Sequence, residues 1–188
     1  MSDQVMAKGT NFVYFQEYVI QKHGKAFWDQ FMAKADVQEK KTWEAAYIGG
    51  WYPFVDFKGA FFRYAKMQGG GNEALSEAYE FIADRSLNTL YRLFFKAMSS
   101  PQFVLKNYPR LWSMFFNQGN VEVLEGEGTR CRFRFILPEV FLDWLPPACI
   151  GYTRKAVTLA GGKNVIVREE SRAKESQMQV VVYTVQWQ

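Results

Sequence analysis

His23 is the only histidine in the chain, set between Lys22 and Gly24 where a helical pattern ends. Imidazole is the side chain that titrates near neutral pH and the commonest general base, so a His-based triad would have to run through this residue. No serine or cysteine beside it sits in a nucleophile elbow, and a lone histidine of this kind reads as structural. The two cysteines, Cys131 and Cys149, fall on different elements without metal-ligand spacing, as reduced and partly buried thiols would. Glu169 and Glu170 are neighbours, so on a strand they point to opposite faces and do not share a metal. The glycines at Gly49-Gly50 and Gly69-Gly70-Gly71 lack the Lys-Ser/Thr or G-x-G-x-x-G surroundings that cradle a phosphate. Arg130, Arg132 and Arg134 alternate along a strand pattern, which invites a nucleic-acid reading. A glutamate across from one of them, and the lack of any zinc knuckle, helix-turn-helix or stacking motif, make a solvated sheet face the better one. No catalytic and no metal-binding residue is assigned, and the chain is read as a non-enzyme.

The net charge of +4 on 188 residues favours weak attraction to acidic partners and establishes none. The length suits one domain with a full core. With 17 Phe, 10 Tyr and 6 Trp, the chain has more aromatic residues than a surface tolerates. They imply a bulky core, a lined cavity or a buried oligomer interface. No apolar run approaches the roughly 18 residues that cross a bilayer, and Met1-Ser2-Asp3-Gln4 lacks the layout of a signal peptide. The expected location is the cytoplasm.

The first two thirds of the chain have helical periodicity. Phe12, Phe15, Tyr18 and Val19 repeat behind Thr10 or Asn11 as an N-cap, Gly24 ends that run, and Phe27, Trp28 and Phe31 mark a second helix. Gly49-Gly50 and Trp51-Tyr52-Pro53 interrupt the pattern before Phe54, Phe57, Phe61, Phe62 and Tyr64 resume it, and the segment Trp51-Tyr52-Pro53-Phe54 is expected to be an exposed loop, suited to a lid or a partner contact. Leu87, Leu90, Tyr91, Phe94, Phe95 and Met98 form the most regular stripe. Ser100-Pro101 opens another helix, and Pro109 should kink it near Tyr108, ahead of Leu111, Trp112, Phe115 and Phe116.

From Asn120 onward the period changes. Val121 to Leu124 and Arg130 to Ile136 make a hairpin whose turn at Gly126-Glu127-Gly128 would put Val123 opposite Cys131, Val121 opposite Phe133 and Glu122 opposite Arg132. A helix over 147–160 follows. A last hairpin runs from Val165 to Ser171 and from Met178 to Trp187, with its turn at Ala173 to Ser176. Apolar residues on both faces from Val180 to Val185 predict a central strand, or one covered by a partner chain.

Several motifs carry a family resemblance. Cys149-Ile150-Gly151-Tyr152 through Gly161-Gly162-Lys163-Asn164-Val165-Ile166-Val167-Arg168-Glu169, then Val182-Tyr183-Thr184-Val185, resembles the tail of the 4-vinyl reductase domain. Tyr108 to Ser113 with Gly119 to Val123 is similar to an uncharacterised family of paralogous delta-proteobacterial proteins. Lys8-Gly9-Thr10-Asn11-Phe12, followed by His23-Gly24 and Trp28, resembles the start of heme-nitric-oxide-binding (H-NOX) domains. All of these share the fold of TRAPP vesicle-tethering subunits. The resemblance implies a fold that hosts an apolar ligand between helices and sheet. Its heme-binding members use a histidine on the helix before the sheet and a Tyr-x-Ser-x-Arg motif. Residues 101–116 contain no histidine, and the motif is absent, so the expectation is no cofactor and in particular no heme.

The resulting expectation is one α+β domain over residues 1–188, with a helical layer over about 9–118 packed on an antiparallel sheet of about four strands, with an inserted helix, over about 119–188. The expected function is a non-enzymatic bacterial sensor or carrier that binds an apolar or aromatic small molecule and signals through protein contacts. Phe61, Phe62, Tyr91, Phe95, Trp112 and Phe116 are its candidate ligand-binding residues. The simpler reading of the same six is plain core, since an aromatic helix stripe is more often core than ligand box. The alternative is a ligand-free homodimeric interaction module. The expected partners are an apolar small molecule and a second copy or a signalling protein, with no nucleic acid.

Overall fold

A computed structural model describes residues 4–89 and 100–188. The expected helical stripe through Leu90, Tyr91, Phe94, Phe95 and Met98 lies outside the described residues. Strand β1 (Met6–Lys8) leads straight into α1 (Gly9–His23) and pairs antiparallel with β2 (Trp51–Pro53), with Ala7 opposite Tyr52. The expected loop at Trp51 is therefore a short strand. Its partner is a three-residue segment that carries no periodicity signal of its own. Trp51 remains 40% exposed beneath the Lys8 ammonium, 4.7 Å from the ring centre, whereas Phe54 is wholly buried. The helix begins at Gly9, ahead of the expected Thr10 or Asn11 cap. A Cβ at Gly9 would stand 1.8 Å from the Tyr47 carbonyl oxygen, so only glycine fits where the chain turns from strand to helix.

Helices α2 (Lys25–Ala33), α3 (Val37–Ala45), α4 (Phe54–Gln68) and α5 (Gly71–Asn88) complete the N-terminal layer. Gly24, at φ 85°, ends α1 as expected, and the Asp36 carboxylate accepts from the Glu39 amide to cap α3. The apolar stripes meet ring to ring. Phe15 of α1 lies 5.8 Å from both Phe57 and Phe61 of α4 and 5.6 Å from Tyr64, while Trp43 of α3 stands 4.8 Å from Phe12. Each such ring, fully buried, contributes about 1.5–3 kcal/mol. Ser100 caps α6 (Pro101–Lys106), and the chain breaks at Asn107 before α7 (Tyr108–Phe115), one residue ahead of the expected kink.

The sheet has the order β3-β4-β6-β5, antiparallel throughout, over Asn120–Glu127, Arg130–Leu137, Met178–Gln186 and Ile166–Glu175 respectively. The first hairpin turns at Gly128-Thr129 instead of Gly126 to Gly128. Val123 therefore faces Phe133, Val121 faces Phe135 and Glu122 faces Arg134, two residues along from the expected register, with a bulge at Leu124. Gly128 at φ 55° suits a two-residue hairpin turn, so the strands run on past Gly126. A shift of two preserves the faces, so Cys131, Phe133 and Phe135 still point inward and the arginine stripe outward. The last hairpin likewise turns later than expected, at Ser176-Gln177. β6 is central, which explains its apolar residues on both faces. Helix α8 (Leu145–Leu159) connects β4 to β5 and packs across α5. Among the described residues the chain thus forms eight α-helices and a four-stranded antiparallel sheet, the α+β arrangement expected from the sequence.

Candidate functional site

Where α1, α5, α7, β4 and α8 converge, the layers leave a void of about 40 Å3. The sequence shows why. On α7, Tyr108, Leu111, Trp112 and Phe115 recur at i, i+3, i+4 and i+7; on α8, Leu145, Ala148, Cys149 and Tyr152 do the same. Both stripes border the void, together with Phe135 of β4 and with Phe116 and Trp144, whose rings touch. Rings of the lining meet closely, Trp112 to Phe116 at 4.4 Å and Phe116 to Trp144 at 5.1 Å.

Several polar groups at the wall pair with one another. Tyr79 of α5 donates to Asn11 Oδ1 at 3.2 Å, and Asn11 Nδ2 donates to the Lys8 carbonyl. The Tyr108 hydroxyl shares a 2.8 Å hydrogen bond with Thr153 Oγ1, which lies 3.8 Å from Cys149 Sγ. Burial pushes the Tyr79, Tyr108 and Cys149 groups well above their ordinary pKa values. The phenols and the thiol are therefore protonated at neutral pH, and the lining carries no charge. Chemically it is an uncharged aromatic box. Among the described residues no group of three or more His, Cys, Asp or Glu could hold a metal ion.

Of the six residues expected to bind ligand, Trp112 and Phe116 line the void. Phe61 stands one layer back, 5.2 Å from Tyr79, and Phe62 lies beyond it at 6.1 Å, half-buried. Tyr91 and Phe95 are outside the described residues. Asn11, Tyr79, Phe135, Trp144 and Tyr152 are wall residues that sequence reasoning missed. The α8 stripe and the inward alternation of β4 were the available signals, and neither indicates which buried residues border a gap. His23 lies elsewhere, with Nε2 sharing a 2.9 Å hydrogen bond with the Tyr64 hydroxyl and its ring 4.7 Å from Phe27.

No family model matches the chain, and no curated protein does. Solved structures do match. The Fe(II) unliganded H-NOX protein from K. algicida, in a single-site variant, superposes with a TM-score of 0.75 at 12% identity, covering 96% of each chain. An oxygen-binding H-NOX domain related to soluble guanylate cyclases, in its oxygen complex, gives 0.64 at 8% identity over 96% of this chain and 95% of that one. The chain has the H-NOX fold. A third match, described as modulating heme redox potential through protein-induced porphyrin distortion, gives 0.71 at 8% identity over 95% and 99%.

These matches overturn the expectation that the chain carries no cofactor. That expectation rested on the missing histidine in residues 101–116 and the missing Tyr-x-Ser-x-Arg motif, yet heme iron is also held by tyrosinate or thiolate. Three phenols and a thiol border the void. As they stand, however, the described walls do not fit a porphyrin. A void of about 40 Å3 compares with about 150 Å3 for a cavity that holds benzene, and no lysine or arginine lines it to meet a propionate.

Proposed function

We propose that this chain is a sensor module whose small ligand occupies the void between the helical layer and the sheet. The uncharged aromatic wall, built by five elements of both layers, is the observation that carries the reading. A guest there touches α1 and α5 on one side and α7, β4 and α8 on the other, so occupancy alters how the layers seat and can be passed on through protein contacts. An apolar molecule suits the lining, because nothing in it compensates a charge. Without adjustment the void takes a guest of a few heavy atoms, and a larger guest requires Trp112 and Phe116 to shift. Heme is the first cofactor to test, since the matched H-NOX proteins are described with Fe(II) and heme. The chain's role is to bind and report, as an H-NOX-like sensor rather than an enzyme. The Gly162 to Glu169 motif supports kinship with the 4-vinyl reductase tail within this fold.

The test is native mass spectrometry and visible absorption of protein made with a heme precursor in the medium, followed by thermal melts with hemin and with small apolar probes. A ligand at about 100 times its Kd adds about 2.7 kcal/mol, or roughly 5–10 °C in Tm for a chain of this size. A colourless protein whose Tm responds to no probe refutes the sensor reading. If it also dimerises with concentration, the ligand-free homodimeric module replaces it.

A further inference from the structure

The outer face of the sheet is rich in charge that is almost entirely spent. Arg132 holds Glu125 and Glu170, each at 2.8 Å, and Arg134 holds Glu122 at 2.7 Å. Elsewhere Arg63, Arg85, Arg154 and Arg172 each hold a glutamate as well. On this face Arg130 and Arg168 are the exceptions: both are exposed, and neither forms an ion pair among the described residues, although the Arg130 charge still bears on Glu170. The register explains their convergence. Arg130 and Ile166 flank Gln186 in one row across the sheet, and Arg132 and Arg168 flank Thr184 in the next, all on the outer face. The two arginines' backbone positions are thus separated by β6, about 9–10 Å laterally, and by one row along the strands, and both side chains line a depression of about 280 Å3 with Ile166, Thr184 and Gln186.

The carboxylates in this depression are already committed. Glu170 accepts from Arg132 and from Thr184 Oγ1 at 3.0 Å, and Glu169 is held by Arg172. Glu127 faces Arg130 across the hairpin without pairing to it. Beside the two guanidiniums stands an apolar side chain, Ile166, 44% exposed at the end of an open sheet edge.

We propose that this face docks an acidic segment of a protein partner, with aspartate or glutamate meeting Arg130 and Arg168 and an adjacent apolar side chain covering Ile166. Arginine presents a planar fork matched to a carboxylate, and arginine beside an apolar anchor is the usual make-up of an interface centre. A nucleic acid backbone is disfavoured, because a run of phosphates needs a continuous basic track, and Arg132 and Arg134 on this face are already held by glutamates.

NMR of the full chain, following the Arg130 and Arg168 Nε–H and the Ile166 methyl signals, tests this with the peptide acetyl-Glu-Leu-Glu-Leu-Glu-amide. The expected result is saturable shifts at those three residues, weakened by added salt, and at least tenfold weaker binding in the double variant Arg130→Glu, Arg168→Glu. Both side chains are exposed, so the variant should keep its Tm; if it does not, Arg130→Gln with Arg168→Gln replaces it. The proposal is overturned if the peptide shifts none of these signals. It is also overturned if charge reversal leaves binding unchanged, or if inorganic phosphate or the lysine counterpart of the peptide shifts the same signals as strongly.

Discussion

The packing of α8 across α5 predicts opposite fates for two glycine-to-alanine changes. At Gly151 a Cβ would stand 2.1 Å from the Ser76 carbonyl oxygen and 2.9 Å from Tyr79 Cβ. Ordinary contact begins near 3.4 Å, so the helices must part by about 1.3 Å. Overpacking of this kind costs about 1–3 kcal/mol. The buried hydrogen bond from Ser76 Oγ to the Pro147 carbonyl, 3.1 Å long, spans the same contact, and straining it costs roughly 1 kcal/mol more. Alanine recovers about 0.5–1 kcal/mol of helix propensity, leaving a net loss of about 1–3.5 kcal/mol, or about 2–14 °C in Tm. Gly59, in the middle of α4 and exposed, has nothing within 4 Å of its built Cβ. Gly59→Ala collects the propensity gain alone and should raise Tm by about 1–4 °C. Urea titrations and melts followed by circular dichroism measure both. A Gly151→Ala protein as stable as Gly59→Ala would show that α5 and α8 do not approach backbone to backbone, and with that the position of the α8 wall of the void would fall.

Phe116→Ala should cost about 3–5 kcal/mol and enlarge the void, so benzene should raise the Tm of the variant more than that of the unmodified chain; equal responses would place Phe116 away from the ligand space. Both cysteines are buried, and burial pushes Cys131 up to about 11 and Cys149 further. A thiol reagent at pH 8 should therefore label neither until urea unfolds the chain, and fast native labelling would refute their burial. The pKa of His23 is held below its ordinary value, first by burial and then by the Lys22 charge. Its folded-state pKa is thus below the unfolded one, so its contribution is present above about pH 6.5 and lost as pH falls through that value toward the folded pKa. His23→Gln should flatten the loss of urea stability between pH 7.5 and 5, and an unchanged slope would assign that loss to other groups.

Much of the fold was legible because burial imposes a period. Phe12 to Val19, the α7 stripe and the inward set Cys131, Phe133 and Phe135 each announce an element and the face it buries. The register of the first hairpin was misplaced by two residues and its faces were not, because side-chain alternation specifies parity while the turn specifies length. β1 was missed because Met6 to Lys8 is strand only through its pairing with Trp51 to Pro53, a contact across more than forty residues with no local signature.

The candidate site divides in the same way. Sequence alone determined that the chain is α+β and that its helices are aromatic on one face, since both follow from residue type and spacing. Only tertiary structure decided that Trp112 and Phe116 border a gap while Phe61 is walled off behind Tyr79, and that Arg130 and Arg168 on the outer sheet face form no ion pair among the described residues. Periodicity reports which face of an element is buried. Whether the side chains meeting there close completely, or which charges across a sheet have already been paired, depends on how separate elements seat against each other.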